Sequence, residues 1–382
     1  MQKQSDELQN FIADKTISGY VVHAYEASSK QVQDQQPKKH EGPVHLTFSS
    51  NGSTTQIRSA QGLADIAEGR MMTDDTIFAI ASLTKPFTAT TVLILQDEGK
   101  LFVDDPVEKY LPKFKNLKLK DGTVVRPLTI RDLLTHTSGI ANPAKPDPTM
   151  TLAEAVDALA EQPLMFEPGS KWQYGQGLTV CGRIIEVVAG KPFETVLEEK
   201  LCKPLGLTDT TFYPTPAQRK RLATIYKQNA EKTVLEPVAS RATFLGDVAG
   251  EKKRYPNPSG GLFSTASDLQ TFYEMILNSG LHGGKQVVSA PAVKQMTTVQ
   301  TGDLETGFTP GNGWGLGWCV VREPQGVTAM LSPGSFGHGG AFGTQGWIDP
   351  KKQRIFVLLF QRQGLPNSDA SDVRRSVSTN HR

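Results

Sequence analysis

Ser82-Leu-Thr-Lys85 is the only Ser-x-x-Lys in the chain, and it sets a hydroxyl three residues from an amine. On a helix that interval places both side chains on one face. A lysine beside a serine stabilises its alkoxide or, when neutral, accepts its proton, which makes the hydroxyl a nucleophile toward a carbonyl. Composition alone supplies about one such tetrapeptide in a chain of this size, so the surroundings carry the weight. The apolar run IFAIA gives way to a helix at Ser82. The positive end of the helix dipole and a spare backbone N–H then favour negative charge on Oγ. Pro86 falls in or just after the first turn, where a missing N–H costs little. The plain alternative is a surface serine and lysine on an ordinary helix.

Two further segments hold residues of the right kind. In Phe166-Glu-Pro-Gly-Ser-Lys-Trp-Gln-Tyr174-Gly-Gln176, Pro-Gly makes a turn and Tyr174 follows in a loop just ahead of a helix. A phenol near an ammonium has its phenolate favoured, so Tyr174 is a candidate general base. Its alternative is a packed aromatic with a hydrogen-bonded hydroxyl. In Gly337-His338-Gly339-Gly340-Ala341, ahead of a strand, glycines admit close approach of the backbone to a ligand. A strand-edge N–H here would complete an oxyanion hole. His338 could bind a substrate carboxylate or support proton transfer, or be structural. No GxSxG, HExxH, Walker lysine or GxGxxG motif occurs.

The elements that must position these residues are readable from periodicity and turn chemistry. Leu8, Phe11 and Ile12 mark a helix over residues 5–15, and GYVVHAY (19–25) a strand. The polar stretch near residues 28–44 is expected to be a loop. HLTFSS, an NGS turn and TTQIRSAQG then form a hairpin. From Asp74 the texture is helical. One helix runs from Ser82 to Glu98, capped by Gly99, and another from about Leu178 to Val188, ended by Gly190. Thr129–Asp132, Thr151–Glu154 and Thr265–Asp268 read as helix-opening caps, the last starting a helix to about Asn278. Strand signals return in WGLGWCVV, GAFGTQGWID and RIFVLLFQ. Sheet at both ends with helices between predicts an α+β fold, an antiparallel sheet flanked by helices with an inserted all-helical domain. Residues 1–75 and 245–382 would form the domain built from both termini and 76–244 the helical one, with the active site in the cleft between them.

Composition excludes several classes. The chain has 382 residues, 38% hydrophobic and 21% charged, with net charge +2, as expected of a globular protein of two closely packed domains. Its basic residues form no stripe interleaved with aromatics, so nucleic acid is not an expected partner. No apolar run approaches the ~20 residues of a membrane span. The polar N-terminus lacks the apolar core of a signal peptide, which fits a cytoplasmic protein or a mature extracytoplasmic form. Cys181, Cys202 and Cys319 are dispersed and odd in number, so buried free thiols are expected rather than disulfides or a zinc site. No metal or organic cofactor is called for.

In this order and spacing the three segments resemble the serine beta-lactamase and penicillin-binding-protein superfamily, above all its class C-like branch with DD-peptidases, D-aminopeptidases and carboxylesterases. The likeness extends to LTIRDLLTHTSGI, LCKPLGLTDTTFY, GGLFSTASDLQTFYEMILNSG and FGHGGAFGTQGWIDP, covering most of residues 60–300 and about 335–362. It implies Ser82 as nucleophile with Lys85 beside it, and Tyr174 as the tyrosine of the family's Tyr-x-Asn element, activating first the serine and later the hydrolytic water. It implies His338-Gly-Gly340 in place of the Lys-Thr-Gly element, and an oxyanion hole from the N–H groups of Ser82 and Ala341. Two departures bear on substrate. Gln176 stands where the family has Asn, and its added methylene would displace a hydrogen bond to a substrate amide. His338 stands where lactamases have Lys, replacing a permanent cation by a group mostly neutral near pH 7. The expected activity is acyl transfer through an acyl-enzyme on Ser82, toward a small ester or amide rather than a lactam. A beta-lactamase or DD-carboxypeptidase is the alternative, and a penicillin-sensing binding module a third reading. His136 is expected to brace its loop.

Overall fold

The computed structural model describes residues 2–27, 47–50, 54–142, 149–249, 254–307, 309–366 and 371–376; the polar stretch 28–44 lies outside them. Helix α1 (Gln2–Ala13) leads into β1 (Gly19–Ala27), followed by β2 (Thr47–Ser50), β3 (Thr54–Asp65) and the short β4 (Arg70–Met71). The helical stretch contains α2 (Thr84–Asp97), α3 (Ile130–Leu134), α4 (Leu152–Ala160) and α5 (Gly177–Ala189). After α6 (Ala266–Leu277) and α7 (Ala290–Thr297) come β5 (Asn312–Trp314), β6 (Cys319–Val321), β7 (Phe336–Gly339), β8 (Gln345–Asp349) and β9 (Arg354–Leu359), then α8 (Asp372–Ser376).

These strands form one antiparallel sheet in the order β5-β6-β7-β8-β9-β1-β3-β2, with β4 on β3. The first and last strands of the chain are neighbours, Val21 pairing with Leu359. Alternation along each strand sends side chains to opposite faces. Val21, Tyr25, Ile355, Val357 and Leu359 enter one apolar cluster, with Phe87 of α2 and Phe272 of α6. Tyr20, Phe356 and Leu358 enter a second cluster, with Leu8 of α1 and Val373 of α8. The sheet is therefore buried on both faces, which holds its strands in register. At the centre lies α2, buried at every residue from Thr84 to Leu95.

The capping devices form with one difference. Thr129–Asp132 and Thr151–Glu154 are reciprocal capping boxes. Thr265 caps α6, but the Asp268 carboxylate turns away to accept the Asp209 N–H at 2.9 Å and the Thr210 hydroxyl at 2.9 Å. WGLGWCVV is not one strand. Gly317 adopts φ 77°, and a Cβ on Gly315 would stand 2.1 Å from the Met296 carbonyl, so the chain folds back there into β5 and β6. GAFGTQGWID is a turn followed by β8. The segment 76–244 is not all-helical: Phe78–Ala79 pairs with Phe263–Ser264, and Tyr226–Gln228 with Leu235–Pro237. All three cysteines are buried free thiols, as expected.

Candidate active site

Ser82 sits on a single 3-10 turn, Ala81–Leu83, that runs directly into α2. Ala81 is held at φ 49°, a left-handed conformation that L-residues adopt only under constraint. Around it, the Thr84 hydroxyl donates to the Ala81 carbonyl at 2.7 Å, and the Thr344 hydroxyl donates to the Ile80 carbonyl at 3.0 Å. The bend fixes Ser82 at the mouth of the helix, as its position after the apolar run implied.

Lys85 is 3% exposed and reaches Ser82 Oγ at 3.2 Å and the Ser259 carbonyl at 2.7 Å. Burial pushes its ammonium down to about 7. About half of it is then the free amine near pH 7, with one N–H spent on Ser259 and its lone pair available to the serine. Lys85 uses the Ser259 carbonyl rather than its hydroxyl, so the side chain does not mark this residue in the sequence. The only signal is the Asn257-Pro-Ser-Gly-Gly turn, closed by the Ser259 N–H donating to Asn257 Oδ1 at 2.9 Å.

Tyr174 hydrogen-bonds Ser82 through its hydroxyl, and Lys85 Nζ lies over its ring at 4.5 Å from the centroid. The expected favouring of its phenolate is not found. Burial raises the phenol above its ordinary value, and the hydrogen bond to Ser82 offsets only part of that. The amine meets the ring face rather than the oxygen, and its own charge is suppressed by the same dry surroundings. Tyr174 keeps its proton, and Lys85 gives up its own far more readily than a solvated lysine does.

His338, on β7, is 4% exposed, with Nδ1 2.6 Å from the Gly339 carbonyl and Nε2 3.5 Å from the Tyr174 hydroxyl. A carbonyl only accepts, so Nδ1 carries the proton and Nε2 presents a lone pair to Tyr174. Burial, aided by Lys85, drives its pKa down to about 3. The imidazole is neutral at any physiological pH and offers no cation to a substrate carboxylate.

Gly340 explains how β7 reaches the serine. A Cβ there would lie 2.1 Å from Thr344 Oγ1 and 2.6 Å from the Ile80 carbonyl, so the bare backbone packs onto the turn bearing Ser82. Ser82, Tyr174, His338, Gly340 and Ala341 line one cleft of about 230 Å³, together with Arg374 of α8. Gln176 does not line it. Its side-chain oxygen accepts the Thr179 hydroxyl at 2.8 Å, and Thr179 meets Ser259 Oγ at 2.7 Å. The amide is thus held against α5, linked through Thr179 to Ser259, the residue whose carbonyl accepts from Lys85.

His136 supports Tyr174 from below. Its carbonyl accepts the Gln173 N–H at 2.8 Å, its Nδ1 accepts the Gly175 N–H at 3.3 Å, and its ring lies 4.5 Å from that of Tyr174. Burial, then the charge on Lys85, keeps the imidazole neutral, as an Nδ1 acceptor requires. His136 also has φ 61°, a conformation Asn tolerates far better than Leu. His136→Leu is therefore expected to lower kcat by roughly 10- to 100-fold, through an unpaired Gly175 N–H and a displaced Tyr174. His136→Asn, which can place an oxygen near the Nδ1 position, should recover most of it. KM should stay nearly constant in both, and steady-state kinetics on a chromogenic ester read the split.

Among the described residues no cluster of three or more His, Cys, Asp or Glu side chains could hold a metal ion, and no helix is long and apolar enough to cross a membrane.

A turn-mounted serine, a buried lysine three residues on, a tyrosine from a second segment and a Gly-Gly strand edge form the arrangement of an acyl-transferring serine hydrolase. The sequence profile of the family described as Beta-lactamase matches residues 31–380, and the chain belongs to that family. Esterase EstB of Burkholderia gladioli is 31% identical over 332 residues, covering 79% of this chain and 81% of its own. Penicillin-binding protein 4 of Amycolatopsis lactamdurans is 34% identical over 300 residues, covering 75% and 71%. The fold is shared with the solved structure of EstCE1, a hydrolase with promiscuous acyltransferase activity. Its TM-score is 0.76 at 24% identity, with 99% of each chain covered. The protein is thus a hydrolase of the serine hydrolase superfamily that includes esterases and penicillin-binding proteins.

Proposed function

We propose that this protein hydrolyses small, uncharged esters through an acyl-enzyme on Ser82, with Lys85 as general base and Tyr174 as proton shuttle. The observation that carries this is a buried Lys85, its ammonium lowered to about 7, at 3.2 Å from Ser82 Oγ, in a cleft whose neighbouring His338 is neutral. Ser82 Oγ attacks the ester carbon while its proton passes to Lys85 Nζ. The tetrahedral oxyanion is held by the N–H groups of Ser82 and Ala341. The bond to the leaving alcohol then breaks, and the alcohol takes the proton from Lys85 through the Tyr174 hydroxyl. Water repeats the sequence on the acyl-enzyme and releases the acid. Tyr174 gives up one proton as it gains another, so its raised pKa is no obstacle.

The substrate class follows from charge. A lactam or a C-terminal peptide presents a carboxylate, and at His338 it would meet a neutral ring. Among the described residues the one cation lining the cleft, Arg374, spends Nη2 on the Gly340 carbonyl, so the His338 side of the cleft suits an uncharged acyl donor. The division into a terminal domain (1–75, 245–382) and an inserted one (76–244) is proposed with the cleft between them. Purified protein and its Ser82→Ala variant are compared on p-nitrophenyl butyrate and a chromogenic cephalosporin. Ester turnover that vanishes in the variant, with little cephalosporin opening, is expected. Dominant Ser82-dependent cephalosporin opening would replace the ester reading by the lactamase one. Full ester turnover in Ser82→Ala would remove Ser82 as nucleophile.

A further inference from the structure

Arg374 stands 34 residues beyond Gly340, on α8, yet its Nη2 donates to the Gly340 carbonyl at 2.6 Å. The side chain is 6% exposed and lines the same cleft as Ser82. Gly339 leaves it room, for a Cβ there would lie 2.8 Å from Arg374 Nη1. The chain has no cis peptide bond among its described residues. The Gly340 C=O and the Ala341 N–H thus belong to one planar unit and point opposite ways. A cation that holds the carbonyl sets the direction of that N–H and, by polarising the peptide, strengthens it as a donor.

We propose that Arg374 is a positioning residue for the oxyanion hole, locking the Gly340–Ala341 peptide so that the Ala341 N–H faces the oxyanion formed at Ser82. This rests on the reading of Ser82 as nucleophile and Ala341 as hole donor. The opposite side of the same unit is constrained as well, since Gly340 packs against Ile80 and Thr344. The carbonyl side of the peptide is held by the guanidinium at 2.6 Å and by the Gly343 N–H, the weaker neutral donor, at 3.1 Å. Burial brings Arg374 down only to about 10, so it stays charged at neutral pH. A helix at the far end of the sequence would in this way tune a donor at the nucleophile.

The test uses a neutral ester, so loss of attraction between Arg374 and a charged substrate does not enter. Arg374→Leu and Arg374→Gln are compared with wild type for kcat and KM on p-nitrophenyl butyrate. Two inhibitors are titrated alongside: a butyl trifluoromethyl ketone, whose serine adduct bears an oxyanion, and unreactive butyramide. In Arg374→Leu, kcat and ketone affinity are expected to fall together by roughly 10- to 100-fold, a partial loss of one hole donor. KM and butyramide affinity should move less than about threefold in that variant, since no ground-state contact is removed. Arg374→Gln keeps a donor for the Gly340 carbonyl and should lie between, which serves as the reading if the Leu variant does not fold. Unchanged kcat and ketone affinity would overturn the inference. So would a parallel loss of ketone and butyramide affinity that Gln does not relieve, because that marks a scaffold effect. Failure of the underlying reading looks different: wild type would then form no ketone adduct on Ser82.

Discussion

Lys85→Met is expected to leave a folded protein, more thermostable than wild type, whose kcat/KM on a neutral ester has fallen by about 10³- to 10⁴-fold, near the upper range for loss of a general base. The stability gain follows from linkage. The Lys85 ammonium is depressed to about 7 in the folded chain, whereas an unfolded lysine titrates near 10.4. Between those values the unfolded state binds the extra proton, so stability rises with pH across that window and is lowest, for this group, below about 7. Methionine removes the group that must be neutralised and keeps most of its volume, although the Ser259 carbonyl loses its donor. A net rise in Tm of several degrees at pH 7 is expected, shrinking toward pH 10 as the wild-type handicap fades. Wild-type kcat/KM should climb with pH through an apparent pKa of about 7, as Lys85 becomes a base. No limb from His338 should appear above pH 5, because its burial holds it neutral there. Lys85→Arg supplies the decisive comparison. It keeps a positive charge but cannot accept a proton, so activity near wild type in that variant would rule out proton abstraction by Lys85 and leave only charge stabilisation. Differential scanning calorimetry and pH-rate profiles read both halves.

Much of this site is legible in the sequence because its parts are local. Ser82 and Lys85 are separated by one helical turn, the helix start is marked by the end of IFAIA, and Tyr174 sits between a Pro-Gly turn and a helix. Strands β1, β3 and β9 announce themselves by alternation or apolar runs, and their pairing follows once helices occupy the middle of the chain. What the sequence hides is whatever depends on distant segments meeting. Ser259 contributes a carbonyl, which every residue has, so nothing about its side chain marks it as the acceptor for Lys85. Arg374 is one arginine among several, and its value arises only where α8 docks beside Gly340. The proton assignment is hidden for the same reason. Proximity of Lys85 to Tyr174 suggests an ammonium favouring a phenolate, but desolvation penalises both charges together. The outcome, a lysine that deprotonates near pH 7 and a tyrosine that stays neutral, is a property of the packed core. Gln176 shows a third limit: its chemistry was readable, but not that Thr179 would hold its oxygen away from the cleft.

Gly340→Ala should cost the second-largest loss of activity, and for a reason separable from stability. The added methyl would stand 2.1 Å from Thr344 Oγ1 and 2.6 Å from the Ile80 carbonyl, with Ala81 Cβ at 3.3 Å. The first neighbour is a side chain that can rotate, at the cost of its 3.0 Å hydrogen bond to Ile80. The second is backbone, belonging to the turn that precedes Ser82, and Ala81 beside it is already held at φ 49°. That turn cannot yield without moving the nucleophile, so the end of β7 must retreat instead. A retreat of a few tenths of an ångström takes the Ala341 N–H out of line with the oxyanion, and kcat on an ester is expected to fall by about 10²- to 10³-fold, as for loss of a hole donor. Overpacking of this kind costs typically ~1–3 kcal/mol, a fall in Tm of a few degrees. The double variant Gly340→Ala/Thr344→Ala separates the two contacts. Deleting the threonine side chain removes the nearer clash and should restore part of the lost Tm. The Ile80 carbonyl remains in place, so kcat should stay low. Recovery of kcat along with Tm would mean that Gly340 serves only to make room for Thr344, and that the strand's approach to Ser82 is not what catalysis requires.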